Sequence, residues 1–196
     1  MRKLIFVTHP EVIVDPRTDV RRWRLSDVGL ARMRVFAESP VVANVASVWS
    51  SSEAKAIEAA GILAARFGAG VRVDAELGEN DRTATGFVPP REFEKLADAF
   101  FAEPEKSVRG WERAIDAQRR IENAVGRILA QETDQETDGD VAVVAHGAVG
   151  TLLLCSYQKQ PISRAADQPY QGHYWLAELP RLEVLHPWRP IAPREG

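Results

Sequence analysis

Cysteine, tyrosine, methionine and any excess of basic charge are all scarce in this chain. One cysteine, Cys155, leaves no partner for an internal disulfide. It follows Leu152-Leu153-Leu154, an apolar run that marks it as a buried, inert thiol. The formal net charge of −3 and a pI near 5.9 give no basic footprint for a nucleic acid. No apolar run reaches the roughly 18 residues of a membrane span. The first apolar run, Leu4-Ile5-Phe6-Val7, is too short for a signal peptide, so the expectation is a cytoplasmic protein with neither nucleic acid nor membrane as partner. The four histidines include no closely spaced pair of the kind that holds zinc.

Two short strings carry the most information. Phe6-Val7-Thr8-His9-Pro10-Glu11 and Val143-Val144-Ala145-His146-Gly147 are each an apolar run that stops at a histidine. Such runs read as buried parallel strands, and ligands of open α/β sheets collect where those strands end. His9 and His146, far apart in the chain, are thus expected at one sheet edge.

The remaining pattern alternates strands with helices. Leu4–Thr8 is the first strand, and residues 13–24 form an arginine-, aspartate- and proline-rich loop. Ser26 caps a helix with Leu30, Met33 and Ala37 on one face. Residues 47–50 form a second strand, and Ser50 with Glu53 has capping-box spacing for a helix that ends at Gly68. Residues 71–73 make a third strand, and a long polar loop then contains Glu76, Glu79, Asp81 and Arg82. Pro89-Pro90 opens a helix with Phe93, Leu96 and Phe100 inward, and a longer helix carries Ile121, Val125, Ile128 and Leu129.

The tandem repeat of residues 131–134 and 135–138 is acidic and reads as a solvated loop. A strand over 141–145, a helix over 150–157 and a hairpin of 174–179 with 182–185 follow. The expected architecture is one domain over residues 1–196, a three-layer α/β/α sandwich around a mostly parallel sheet. Residues 80–112 are a helical insertion able to act as a lid, and 187–196 are a proline-rich tail.

Taken in order, these strings resemble the histidine phosphatase superfamily, the phosphoglycerate mutase-like fold. The family opens with a strand and Arg-His-Gly-Glu, where this chain has Thr8-His9-Pro10-Glu11. Its Ser-Ser followed by Arg-Ala is matched by Ser50-Ser51-Ser52-Glu53-Ala54-Lys55-Ala56. Its Leu-x-Glu is matched by Leu77-Gly78-Glu79, and its late strand-His-Gly by His146-Gly147.

The resemblance implies a phosphomonoesterase acting on a small phosphorylated substrate with no cofactor or metal. His9 would attack phosphorus and carry the phosphoryl group, His146 would contact the transferring oxygens, and Glu79 would serve as general acid and base. Thr8, Lys55 and Gly147 take the family's phosphate-binding positions, and Arg24 and Arg82 are the candidates to replace its missing arginine. Thr8 offers a hydroxyl in place of a charged fork, Lys55 loses the planar bidentate grip, and Pro10 lacks an N–H. A lost fork costs several kcal/mol of transition-state binding, by analogy with the roughly 3–4 kcal/mol of an oxyanion donor. Three alternatives stand beside hydrolysis: a mutase, a catalytically degenerate binder of phosphorylated ligands, and a zinc hydrolase built on His9, His146 and Glu79.

Overall fold

In the computed structural model, which describes residues 1–135 and 138–194, strands and helices alternate along the chain. They run β1 (Lys3–Thr8), α1 (Asp27–Ala37), β2 (Val45–Ser50), α2 (Ala54–Arg66), β3 (Val71–Val73), α3 (Pro90–Ala102), α4 (Ala114–Asp134), β4 (Asp140–Ala145), α5 (Gly147–Tyr157), β5 (His173–Glu178) and β6 (Glu183–Pro190). The six strands form one sheet in the order β3-β2-β4-β1-β5-β6. The pairs β3-β2, β2-β4 and β4-β1 are parallel, while β1-β5 and β5-β6 are antiparallel.

The period-two alternation of strand side chains sorts the core into two layers. Leu4 and Phe6 of β1 and Val141 and Val143 of β4 face α3, α4 and α5. Ile5, Val7, Ala142 and Val144 face α1 and α2. Strands buried on both faces explain why β1 and β4 are continuously apolar in sequence. α5 lies so close to the sheet that a Cβ at Gly150 would come within 2.5 Å of the Phe6 ring.

Several expectations are corrected. Ser50 does not cap α2, because Glu53 holds the N-cap position and the Ser50 hydroxyl donates to the Ser51 carbonyl. α5 begins at Gly147, three residues early, directly after the strand histidine. The first copy of the acidic repeat continues α4 instead of forming a loop, and its Glu132 is fully buried. That carboxylate accepts hydrogen bonds from Trp49 Nε1 (2.8 Å) and Arg72 (2.7 Å), an inward salt link that acidic composition hides. Of the second copy, Gln135 is the C-cap of α4, and Glu136 and Thr137 lie outside the described residues. The proline-rich tail is also largely structured. Pro187 to Pro190 belong to the edge strand β6, whose missing N–H groups suit an unpaired edge, and Ile191 and Ala192 are buried.

One largely buried ion pair, Arg32 4% and Glu11 17% exposed, ties the chain end to α1. Both oxygens of Glu11 accept from Arg32 Nη1 at 2.8 Å, and the guanidinium also donates to the carbonyls of Gln171 (2.9 Å), Gly172 (3.0 Å) and Ala192 (3.2 Å). Gly172 has φ +80°, and a Cβ there would lie 2.6 Å from Arg32 Nη1, so both its backbone and its neighbour demand glycine. Removing one partner of a buried pair strands the other charge. Arg32→Met is expected to lower the unfolding free energy by about 3–5 kcal/mol in urea titrations, with Arg32→Lys recovering only part of it.

Candidate active site

Three neighbouring strands end together. β1 and β4 pair in the register Thr8↔Ala145, and β4 and β2 in the register Ser50↔Val144. The parallel ladder continues one step past the strands, since His9 N–H donates to the Ala145 carbonyl (3.1 Å) and Ser51 N–H to that of Val144 (3.2 Å). That extension sets His9, His146 and Ser51 side by side at the carboxyl edge. The two imidazole rings lie edge to face with centroids 5.2 Å apart.

Both histidines are buried, and the carbonyl against His9 fixes its tautomer. His9 Nδ1 lies 2.9 Å from the Pro10 carbonyl, an acceptor only, so Nδ1 carries the hydrogen and Nε2 the lone pair. Among the described residues nothing hydrogen-bonds that Nε2. Burial, followed by the Lys55 charge, lowers the His9 pKa to about 4, and the ring is therefore neutral at ordinary pH. His146 Nε2 lies 2.7 Å from Ser51 Oγ and 3.3 Å from a Glu53 oxygen, whereas its Nδ1 is buried without a partner. Burial also lowers the His146 pKa, against the opposing pull of Glu53.

Lys55, in the first turn of α2, is 3% exposed. Its ammonium donates to Glu53 and to the Val20 carbonyl (2.8 Å), which leaves one of three N–H groups free. Burial pushes the Glu53 carboxyl up, but the Lys55 ammonium and the Glu79 N–H that it accepts from favour its charged form and hold it below the usual carboxylate range. Glu53 Oε1 also accepts from the Glu79 N–H at 3.0 Å.

The Glu79 carboxylate accepts from the N–H groups of Asn80 (3.1 Å), Ala148 (3.2 Å) and Val149 (3.1 Å). It sits on the N-terminus of α5, a position the exposed N–H groups and helix dipole reserve for an anion. Arg120 of α4 fixes this loop by donating to the carbonyls of Glu76 (2.7 Å), Gly78 (2.9 Å) and Glu79 (3.2 Å) while paired with Glu112. Arg82 lies farther along it, its guanidinium 5.0 Å from the Phe93 ring centroid and 5.6 Å from that of Trp111. Among the described residues it has no carboxylate partner, and its charge is felt at both histidines.

Not every expected residue joins this group. The Thr8 hydroxyl donates to Gln168 Oε1 (2.7 Å) and accepts from the His173 N–H (2.9 Å), so its hydrogen bonds go to the β1-β5 junction. Arg24 is turned outward, paired with Glu58, and its side chain is 74% exposed. Gly147 opens α5, where a Cβ would stand 2.5 Å from the Gln168 amide nitrogen. The sequence reading missed Glu53, Ser51, Arg120, Trp111 and Gln168. Glu53 was visible only as a capping candidate, and no spacing rule reveals a contact between α2 and β4. Among the described residues no cluster of three His, Cys, Asp or Glu side chains is arranged for a metal ion. No described helix is long and apolar enough to cross a membrane.

The depressed His9 pKa has a stability consequence with a definite sign. The unfolded chain takes up the proton near pH 6.5 and the folded one only near pH 4. The contribution is therefore fully present above pH 6.5 and is lost as pH falls through about 4. Its size is roughly 3 kcal/mol. Unfolding free energies measured from pH 7 to pH 4 should fall more steeply for the native chain than for His9→Gln.

Residues 8–175 match the histidine phosphatase superfamily (branch 1). No curated protein matches the sequence. Among solved structures, a vanadate complex of mycobacterial glucosyl-3-phosphoglycerate phosphatase is similar at 22% identity and TM-score 0.81, covering 97% of this chain and 100% of that one. YhfR of Bacillus stearothermophilus is similar at 21% identity and TM-score 0.77, with 95% of each chain covered. The α-ribazole phosphatase of Shigella flexneri follows at 14% identity and TM-score 0.73, with 99% of each covered. With the ordered strand-end histidines, the six-stranded sheet and a match over most of its length, the chain belongs to the histidine phosphatase superfamily.

Proposed function

We propose that this protein hydrolyses a small phosphomonoester through a phosphohistidine on His9. The observation that carries the reading is the fixed tautomer of a buried, neutral His9, whose Nε2 lone pair is free at the sheet edge. In the first step Nε2 bonds to phosphorus as the ester P–O bond breaks, and the departing oxygen takes a proton. In the second, water attacks the phosphoryl group, gives up a proton and restores the neutral imidazole. Glu79, at the head of α5, is assigned the proton transfers: in its acid form it protonates the departing oxygen, and the carboxylate so formed takes the proton from water as the N–P bond breaks.

Phosphoryl transfer depends on charge stabilisation around the equatorial oxygens. The groups assigned to it are His146, whose Nδ1 donates once it carries a proton, the spare Lys55 N–H and the Arg82 guanidinium. Arg82 is the proposed substitute for the arginine that Thr8 replaces. Two aromatic rings, Phe93 and Trp111, neighbour the guanidinium, and no carboxylate competes for it among the described residues. Two of the similar structures are, by their names, phosphatases of small phosphorylated molecules, which supports hydrolysis over mutase chemistry.

A second reading, a binder that does not turn over, draws on one feature. Glu53 already neutralises Lys55, and with Glu79 it balances the two cations of the site. Hydrolysis of an aryl phosphate without added metal separates the two. Turnover that vanishes in His9→Ala is expected, and phosphate binding without turnover would favour the binder. Charged hydrogen bonds contribute roughly 1.5–3 kcal/mol, so Arg82→Ala should lower kcat/KM by roughly tenfold to a hundredfold.

A further inference from the structure

Glu53 joins more of the candidate site than any other side chain described above. It is 7% exposed, and its Oε1 meets His146 Nε2 (3.3 Å) and accepts from the Glu79 N–H (3.0 Å), while Oε2 accepts from Lys55. A carboxylate behind a functional histidine fixes which ring nitrogen carries hydrogen and how the ring is aimed. Here the carboxylate lies beside Nε2, next to the Ser51 hydroxyl that is that nitrogen's hydrogen-bond partner at 2.7 Å, and the other nitrogen, Nδ1, is buried and without a partner. A buried donor or acceptor with no partner carries a desolvation cost, which a ligand atom relieves.

We propose that Glu53 is a positioning residue for phosphate recognition, aiming His146 Nδ1 at a phosphoryl oxygen and allowing His146 to become charged when the anion binds. The inference rests on the phosphatase reading for its turnover consequence but not for its binding consequence. A phosphomonoester monoanion brings its own proton, which passes from the phosphoryl oxygen to Nδ1. The resulting imidazolium is then held between the Glu53 carboxylate at Nε2 and the dianionic phosphoryl group at Nδ1. No other reactant is needed. The charged groups around the ring divide cleanly. His9, Lys55 and Arg82 oppose its protonation, Glu53 favours it, and Glu79 lies across the α5 N-terminus from it. Without the anion burial wins and the ring stays neutral. With it, a site lacking one arginine gains a cation only when phosphate is present.

The test follows the ring nitrogens of His146 by NMR in the full chain, titrated with pH, with and without inorganic phosphate. Native, Glu53→Gln and Glu53→Asp chains are compared, with thermal stability and aryl phosphate turnover recorded in parallel. In the native chain phosphate should raise the His146 pKa. Glu53→Gln should remove that rise, weaken phosphate binding about tenfold or more and lower kcat by a similar factor. Glu53→Asp, which keeps the charge, should restore part of each and guards against a Gln variant that fails to fold. Loss of the coupling in a chain that binds phosphate but turns over nothing would still support the inference while refuting hydrolysis. Phosphate binding unchanged or tighter in Glu53→Gln would overturn it, because Glu53 would then be a bystander or a competitor of the anion. A native His146 titration indifferent to phosphate would overturn it as well.

Discussion

Everything at the site depends on the parallel pairing of β1 with β4. One ladder of backbone hydrogen bonds, carried a step beyond the strands by His9 N–H on the Ala145 carbonyl, decides that two histidines 137 positions apart share one edge. A shift of one residue in that register would turn every side chain of β1 to the opposite face. The same slip would exchange the Leu4/Phe6 and Ile5/Val7 layers, so the packing of both cores enforces the geometry of the site. The central stretches of β1 and β4 are apolar for packing reasons, and placing the histidines is a consequence of that packing.

Above that edge, the site is built from charges that are nearly balanced and almost dry. Lys55, His146 and His9 are each less than a tenth exposed. In such surroundings a carboxylate or ammonium is tolerated only with partners. Glu53 supplies them for Lys55 and His146, and the N-terminus of α5 supplies them for Glu79. Arg82 is the exception. It is stabilised by two aromatic faces, an arrangement worth about 0.5–2 kcal/mol and much less demanding than a salt bridge. A cation held in that way keeps its hydrogen-bond donors available to an arriving anion.

Much of this was legible from the sequence because it follows from local periodicity. The strand ends at His9 and His146, the Ser26 cap, Pro90 at the first position of α3 and the apolar stripe of α4 are all written in short windows. The terminal hairpin was legible too, though β6 runs on through Pro187 to Pro190 and absorbs the supposed tail. What escaped depends on contacts between distant segments. Glu132 looks like a surface residue of an acidic repeat until Trp49 and Arg72 meet it. Glu53 looks like a helix cap until β4 brings His146 to it, and Arg120 looks like a solvated helix arginine until the 76–79 carbonyls converge on it. Thr8 shows the converse, since a residue read from the sequence as a phosphate contact has its hydroxyl bonded to Gln168 and His173 at the junction with β5.

The central claim is that His9 Nε2 forms a bond to phosphorus. Rapid mixing of the full chain with an aryl phosphate, alkaline quenching to preserve phosphoramidates and peptide mapping by mass spectrometry would read that bond directly. The account predicts one phosphoryl group per chain, on the peptide containing His9 and on that residue, formed as fast as the phenol is released. Phenol released with no phosphoryl group on His9, or a phosphoryl group on another residue, would contradict it.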